Sequence, residues 1–441
     1  MKKAIIFIHP WMWAEDAFEA CRRKDYCILA VLTTFETLRI DTHWLTQHAD
    51  YLIQSGGDAN KDVFNINRLL RGHNAEAACV VNGLDAALSY ADAISRLLNL
   101  APLATKAEIF LNKHTFNTYL SSRGLSVIPG IEITSLTDVQ GKKALLEGIG
   151  YPLVAKPSED TAAMADVRVL YSANELMDYL RKTLGKKNTY YPDRDIARIS
   201  VQQYIPATSR EFFIDFLTID GRHCLVGAGE YLYDENRTLK GIEIYDADSP
   251  ALPDNVIRYV SDILNASGML NGFTHNEVFL TKENAVLLVE SNPRHCGQPS
   301  STLYKVIYGR HRMDLLLDAI EGVSPSEKEG IVRKGPLARA LHLYNFSTER
   351  PDTINSDGIV SEMRILSFKG RERDRLPADF YRTPDRINQI SAIVMLVNPS
   401  DTQLLIDSNT LRDRETAGTL FIRSRQSTCQ GCCADCQTRN R

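Results

Sequence analysis

His275-Asn276-Glu277 opens an apolar run, Val278-Phe279-Leu280. A polar stretch follows, Thr281-Lys282-Glu283-Asn284, then a second apolar run, Ala285-Val286-Leu287-Leu288-Val289, and finally Glu290-Ser291-Asn292-Pro293-Arg294. Two apolar runs around a polar turn read as a β-hairpin. With Glu283-Asn284 as a two-residue loop, Lys282 pairs with Ala285, Glu277 falls opposite Glu290, and His275 opposite Asn292. The strand period of two then gathers His275, Glu277, Glu290, Asn292 and Arg294 on one face. Val278, Leu280, Leu287 and Val289 fall on the other.

Carboxylates directly opposed across a ladder repel each other. A divalent cation offsets this, and Mg²⁺ favours a few carboxylate oxygens completed by substrate phosphates. Asn292 adds a neutral oxygen, and Arg294 can neutralise a phosphoryl group or a tetrahedral oxyanion. The plain alternative is a solvated polar strand end with Arg294 in surface ion pairs. A one-residue slip in register would scatter the constellation.

Working outward, residues 3–8 and 27–32 read as strands, and 14–23 as a helix. Residues 77–81 form another apolar run, ending at Asn82-Gly83. A helix follows, with Leu84, Leu88, Ala91, Ile94, Leu97 and Leu98 near helical spacing. Strands alternating with helices indicate an open α/β unit over residues 1–101. Asp85 sits at a strand-to-helix turn, where such units place ligands, or simply starts the helix. Thr105 is a candidate cap for a helix running toward Arg123 and stopping at Gly124. Residues 151–156, 199–205 and 212–219 read as strands, 175–184 as a helix, and 185–195 as a polar, mobile loop. Beyond Gly322 the pattern changes. Residues 339–344, 359–366, 390–397 and 403–407 read as strands of a separate C-terminal lobe.

The balance of 44% hydrophobic and 24% charged residues over 441 positions suits a soluble multidomain protein. The net charge of -4 provides no global basic field for nucleic acid. No apolar run approaches the ~20 residues that span a bilayer. The run from Ala4 to Ile8 stops at His9-Pro10, too short for a signal-peptide core. The cytoplasm is the expected compartment. Cys21, Cys27, Cys79, Cys224 and Cys296 are scattered and expected to be reduced and mostly buried.

Five ordered elements give the chain a resemblance to the ATP-grasp superfamily over residues 80–320. Glu277, then Glu290-x-Asn292-Pro293-Arg294 and Gly297, is similar to its metal-binding signature. Asn112-Lys113 resembles the first ATP-phosphate lysine segment, and Tyr151-Pro152-Leu153-Val154-Ala155-Lys156-Pro157 the strand carrying the second lysine. Gln202-Gln203-Tyr204-Ile205 resembles the hinge that holds adenine by its backbone. Arg210-Glu211-Phe212-Phe213-Ile214-Asp215 resembles the next strand, whose glutamate binds ribose. His275-x-Glu277 and the 211–231 stretch look most like the L-amino acid and dipeptide ligases. A weaker likeness runs into a biotin-carboxylase-like C-terminal lobe. The chain departs from the pattern in three places. Residues 158–168 carry Ala162, Ala163 and Ala165 and no glycine, where relatives have a glycine-rich phosphate lid. Gln202 stands where many relatives have glutamate, and Gln298 where a second glycine is usual.

The resemblance implies an α/β and α+β multidomain chain. A pre-ATP-grasp domain spans 1–101. An ATP-grasp domain spans 102–325, with a lid at about 130–205. A C-terminal lobe spans 326–428, and a Cys-rich tail 429–441. It implies ATP and Mg²⁺ as cofactors, with two ions bound and Mn²⁺ able to substitute. Lys113, Lys156, the 202–205 hinge and Glu211 would hold ATP, and Glu277, Glu290 and Asn292 the metal. Arg294 would be catalytic. His275 would be catalytic with it, contacting a substrate, or else a satisfied structural histidine. Arg237 and Lys240 lie in a loop that could close over the γ-phosphate. The substrates would be small carboxylates and amines of amino-acid or peptide type, with no nucleic-acid or membrane partner; relatives are often dimers, so a homodimer stays open.

The implied reaction is ADP-forming amide ligation through an acyl phosphate. Loading of an amino acid on a carrier protein, a carboxylase-type reaction, and a nucleotide-binding regulator that has lost catalysis stay open beside it. Cys429, Cys432, Cys433 and Cys436 could bind zinc, form labile disulfides, or belong to a flexible tail.

Overall fold

A computed structural model describes residues 1–10, 14–33, 42–159, 166–188, 191, 193–206, 208–235, 237–346, 351–368 and 390–423. The Cys429–Cys436 cluster and the core of the glycine-free segment, 160–165, lie outside the described residues.

The chain begins as an α/β unit: β1 (Lys2–Ile8), α1 (Ala14–Arg23), β2 (Cys27–Leu32), α2 (Thr42–His48), β3 (Tyr51–Gln54), α3 (Ala59–Gly72), β4 (Ala75–Asn82) and α4 (Leu88–Leu97). Its four strands pair in parallel in the order β3-β2-β1-β4. Residues 4–8 and 27–31 are fully or almost fully buried, as continuous apolar strands covered on both faces must be. In α4, Leu88, Ala91 and Ile94 turn inward as their spacing requires, whereas Leu97 is exposed.

A short helix, α5 (Lys113–Ser121), leads into a second unit: β5 (Gly130–Ile133), α6 (Leu136–Gly141), α7 (Lys143–Ile149), β6 (Leu153–Pro157), β7 (Arg168–Leu170), α8 (Ala173–Thr183) and β8 (Ile199–Gln203). Its antiparallel sheet runs β5-β8-β6-β7 and has its own core, with Ile133, Leu153, Ala155, Leu176, Leu180, Ile199 and Val201 at its centre. Thr105 does not cap α5. Its amide and hydroxyl both bond the Gly268 carbonyl, and Asn112 caps instead, its side chain accepting from the Thr115 amide at 2.8 Å. Where it is described, the 185–195 segment makes backbone hydrogen bonds. Lys187 bridges Asp195, and the Gly185, Asn188 and Ile196 amides bond the carbonyls of Ile196, Arg194 and Lys186.

The third part holds β9 (Arg210–Ile219), β10 (Arg222–Tyr233), β11 (Leu239–Ile244), α9 (Asp254–Ser267), β12 (Gly272–Leu280), β13 (Val286–Asn292), α10 (Ser300–Tyr308), α11 (Arg312–Ile320), β14 (Leu337–Leu343), β15 (Thr353–Ile354), β16 (Glu362–Phe368), β17 (Ala392–Asn398), α12 (Asp401–Thr416) and β18 (Phe421–Ile422). One eight-stranded sheet runs β13-β12-β9-β10-β11-β14-β17-β16. Three C-terminal strands, β14, β17 and β16, therefore continue the central sheet through β11–β14 pairing, while β15 and β18 pair in a two-stranded sheet of their own. Residues 403–407, read as a strand, lie inside α12. Ser400 caps that helix, and it buries Leu404, Asp407, Ser408, Leu411 and Glu415 at helical spacing. Two of those buried residues are acids with partners: Asp407 accepts from the Ser361 amide and hydroxyl, and Glu415 from the Tyr344 amide.

The 272–292 hairpin is built in two registers. His275 faces Asn292 and Glu277 faces Glu290, but Val278 faces Leu288 and Leu280 faces Val286. The extra residue, Val289, is a β-bulge. The turn is three residues, 282–284, closed by the Thr281 amide on the Ala285 carbonyl, with Asn284 left-handed at φ 65°. The bulge switches the strand's faces, so Val286 and Leu288 are buried instead of Leu287 and Val289. Asn tolerates the left-handed region better than other non-glycine residues. Asn284→Gly should leave stability unchanged or slightly raised, whereas Asn284→Val should cost about 1–2 kcal/mol in urea unfolding. Equal midpoints for the two variants would contradict the assigned turn.

Among the described residues, no helix is long and apolar enough to cross a membrane. Four of the five scattered cysteines are buried, Cys79 is half-buried, and all five are free.

Candidate active site

Cross-strand partners share a face of a sheet, and the pairings of β9 with β10 and β12 collect one set of side chains. Glu211 faces Tyr231 and Phe279, Phe213 faces Glu277, and Asp215 faces His275. Added to the hairpin pairs, this places Glu211, Asp215, Tyr231, His275, Glu277, Glu290 and Asn292 on one surface of the central sheet. The opposite surface carries Phe212, Ile214, Phe216, Val278 and Leu288, buried in one core with Val256, Val260 and Leu264 of α9. That packing fixes the register, since a slip would exchange a dry face for a charged one.

Lysines from two other elements and an arginine from the segment just after β13 meet this surface. Lys113, first residue of α5, lies 3.4 Å from Glu290 through Nζ–Oε2. Its amide bonds the Ser158 carbonyl, which ties α5 to the second unit. Lys156 projects from β6 and is 8% exposed. Burial lowers its pKa to about 8 against the pull of Glu290, with Lys113 adding to the depression. Glu290 shows the reverse: burial would raise its carboxyl, but Lys113 and Lys156 outweigh it and hold the group down to about 2. Asn292 Nδ2 donates to Glu290 Oε1 at 2.9 Å. Arg294 leaves the hairpin toward the first unit, where its Nε donates to Asp85 Oδ2 at 2.9 Å and its Nη1 to the His295 carbonyl. Asn82 Nδ2 bonds the Pro293 carbonyl beside it, so the end of β4 and the end of β13 are fastened together.

A cavity of about 40 Å³ opens among Asp85, Lys113, Glu290, Ser291 and Asn292, with Phe110, Phe116 and Tyr191 on its apolar side. The adenine-hinge candidates close β8. The Gln203 and Tyr204 amides are occupied by the Pro129 and Pro152 carbonyls, and among the described residues the Ile205 N–H has no hydrogen-bond partner. Glu211 lies beside this hinge. Burial and then the charge of Glu277 push its pKa up to about 7. Arg237 spans the gap, with Nη1 on Glu211 Oε2 at 3.3 Å, Nη2 on the Ile205 carbonyl at 3.0 Å, and its guanidinium over Phe279. Lys240 instead pairs with Glu415, away from the carboxylate face.

His275 is 4% exposed. Its Nδ1 lies 2.6 Å from Asp215, and its Nε2 lies 3.2 Å from Glu277 Oε1. Burial opposes its charge, but Asp215 prevails and raises the pKa to about 9. Both ring nitrogens are thus turned onto protein acids. Tyr231 also donates to Glu277 Oε1, at 2.9 Å. Sequence reasoning missed Asp215 and Tyr231 as members of this face. The period of two from Glu211 reaches Asp215, so that signal was available. Tyr231 depended on the β9–β10 register.

The donor set suits a magnesium–nucleotide pair. Two opposed carboxylates and an amide supply hard oxygens, and two lysines and an arginine surround them. Among the described residues, no group of three or more His, Cys, Asp or Glu is placed to cage a metal alone. Mg²⁺ does not require one, because phosphate and water oxygens complete its shell.

No family model matches the chain. It is 24% identical over 297 residues to the alanine–anticapsin ligase of Bacillus amyloliquefaciens, covering 60% of this chain and 62% of that protein. The match thus spans less than two thirds of the relative's length. The structure is similar to an L-amino acid ligase from Bacillus licheniformis, with a TM-score of 0.68, 19% identity and coverage of 96% and 99% of the two chains. It is also similar to the biotin carboxylase domain of the Hydrogenobacter thermophilus 2-oxoglutarate carboxylase, solved with MgADP and bicarbonate. There the TM-score is 0.59 at 15% identity, covering 90% of this chain and 87% of that one. The fold is that of the ATP-grasp enzymes, as the ordered motifs implied.

Proposed function

We propose that this chain uses ATP to join a carboxylate to an amine, both of amino-acid type, releasing ADP and phosphate. The observation that carries the reading is the forced opposition of Glu277 and Glu290 on a face met by Lys113, Lys156 and Arg294. Folding brings like charges together there, an arrangement suited to a bound cation and polyphosphate. The alanine–anticapsin ligase and L-amino acid ligase likenesses support the amino-acid class.

A carboxylate resists amines because oxide is a poor leaving group. The substrate carboxylate attacks the γ-phosphorus, ADP departs, and an acyl phosphate forms. The amine then attacks the acyl carbon, phosphate leaves with the electron pair of the C–O bond, and the amine's proton passes to phosphate or water. Lys113 and Lys156 align the phosphates as point charges. Glu277, Glu290 and Asn292 are the side chains that would hold Mg²⁺, one or two ions, with Mn²⁺ a candidate substitute. Bound there, the metal would neutralise charge on the transferring phosphoryl group. Arg294, braced by Asp85, faces charge that grows on the acyl phosphate and the tetrahedral oxyanion. The 203–205 backbone would hold adenine and Glu211 the ribose. In that case Arg237 must release the Glu211 carboxylate when nucleotide enters.

The test is ADP and phosphate release over pairs of amino acids, with product masses measured. Amine-dependent ADP release with a mass equal to the two substrates less water is expected. ATP turnover dependent on bicarbonate alone, or none with any pair, would overturn the reading.

Lys156 makes the nucleotide step pH-dependent. With its pKa at about 8, the empty site loses this charge as pH rises past 8, and phosphates restore it. Nucleotide affinity should therefore fall from pH 8 toward 10. Binding at pH 8.5 should take up roughly half a proton or more, read by calorimetry in buffers of different ionisation enthalpy. Lys156→Met should abolish the uptake; equal uptake in both proteins would place Lys156 away from the phosphates.

A further inference from the structure

Along the carboxylate face itself runs a chain of charged groups, mostly buried, that crosses three elements. Arg312 enters from the first turn of α11 and is 3% exposed. Its Nη1 donates to Asp215 Oδ2 at 2.8 Å. Asp215, on β9, is wholly buried, and its other oxygen lies 2.6 Å from His275 Nδ1. His275, on β12, presents Nε2 to Glu277 Oε1 at 3.2 Å. Arg312 is itself held on two further sides, by Cys296 Sγ at 3.0 Å and by the Tyr304 ring at 5.0 Å.

Each link is directional. Arg312 fixes one Asp215 oxygen, which leaves the other for the imidazole. A histidine with one nitrogen on a buried carboxylate has its ring orientation set for the other nitrogen. Glu277 Oε1 then takes both His275 and Tyr231, while no protein group bonds Oε2 among the described residues. Burying three ionisable side chains, Arg312, Asp215 and His275, is costly unless their charges are paired and bonded. A fold that needed only core volume here would be served by apolar residues.

We infer that Arg312 and Asp215 are positioning residues for the metal face: acting through His275, they hold Glu277 so that Oε2 is presented to a divalent cation shared with Glu290. This rests on the magnesium–nucleotide reading of the site. Catalysis is not required to test it.

The probe is Mn²⁺ with adenylyl imidodiphosphate, followed by electron paramagnetic resonance. Two variants are used. Asp215→Leu/Arg312→Met removes both charges together, and apolar replacement of a buried pair is often tolerated. His275→Phe keeps a ring but cuts the link to Glu277. Both folded variants are expected to raise the Mn²⁺ dissociation constant at least tenfold. Affinity for the nucleotide analogue without divalent ion should stay within about threefold of wild type. Arg312→Lys, which keeps a cation beside Asp215, should recover most of the Mn²⁺ affinity. A merely structural role would move both affinities together. If either folded variant binds Mn²⁺ within twofold of wild type, the positioning role is overturned. If wild type itself binds no Mn²⁺ with the analogue, the reading of the site fails, and the inference with it.

Discussion

Glu290→Gln should lower turnover by about 100-fold or more while the protein stays folded. Glutamine keeps the shape but cannot balance Lys113 and Lys156, whose charges hold Glu290 ionised. The effect on folding should be smaller, because two changes oppose each other. Repulsion with Glu277 is relieved as attraction to the lysines is lost. Added Mg²⁺ should recover part of the rate if the defect is metal affinity. The measurement is amine-dependent ADP release across a Mg²⁺ titration, with circular dichroism as the folding control. Wild-type turnover would make the hairpin structural and remove the basis of the assigned site.

Arg294→Ala should cost turnover about 100- to 1,000-fold, with little change in ATP affinity. Its proposed partner is charge that appears after phosphoryl transfer begins, so the loss belongs in turnover rather than in nucleotide binding. The variant also strands Asp85, which accepts from Arg294 Nε. Combining it with Asp85→Asn separates the two effects. If loss of the guanidinium is what matters, the double variant stays as slow as Arg294→Ala. If stranded Asp85 charge was the cause, the double variant recovers. An ATP affinity that falls in step with turnover would instead place Arg294 on the nucleotide phosphates.

Local pattern was a sound guide where one period governs a segment. The helix Ala14–Arg23 and strand Cys27–Leu32 appear with the expected limits, and the hairpin pairs Glu277 with Glu290 and His275 with Asn292 as expected. It failed where a distant partner chose between local equivalents. Thr105 and Asn112 both have capping side chains, and only the Gly268 carbonyl decides which is free to cap. In α12 the buried acids Asp407 and Glu415 hide the helical stripe, because their partners lie on other segments. The Arg312–Asp215–His275 chain was illegible for the same reason. An arginine opening a helix reads as solvent-facing until Asp215, 97 positions away, is folded against it.

The Val289 bulge separates the chemistry of the hairpin from its tip. A ladder closed by the two-residue loop Glu283-Asn284 and the bulged ladder with its three-residue turn leave the same Glu277–Glu290 pair, because the residue gained by one is given up by the other. Rearrangement beyond Val278 therefore stops at the bulge. Residues 282–285 are exposed. The tip is thus a permissive graft point: a fluorophore at Glu283, or a short epitope spliced after Lys282, would ride on the hairpin without altering the Glu277–Glu290 spacing.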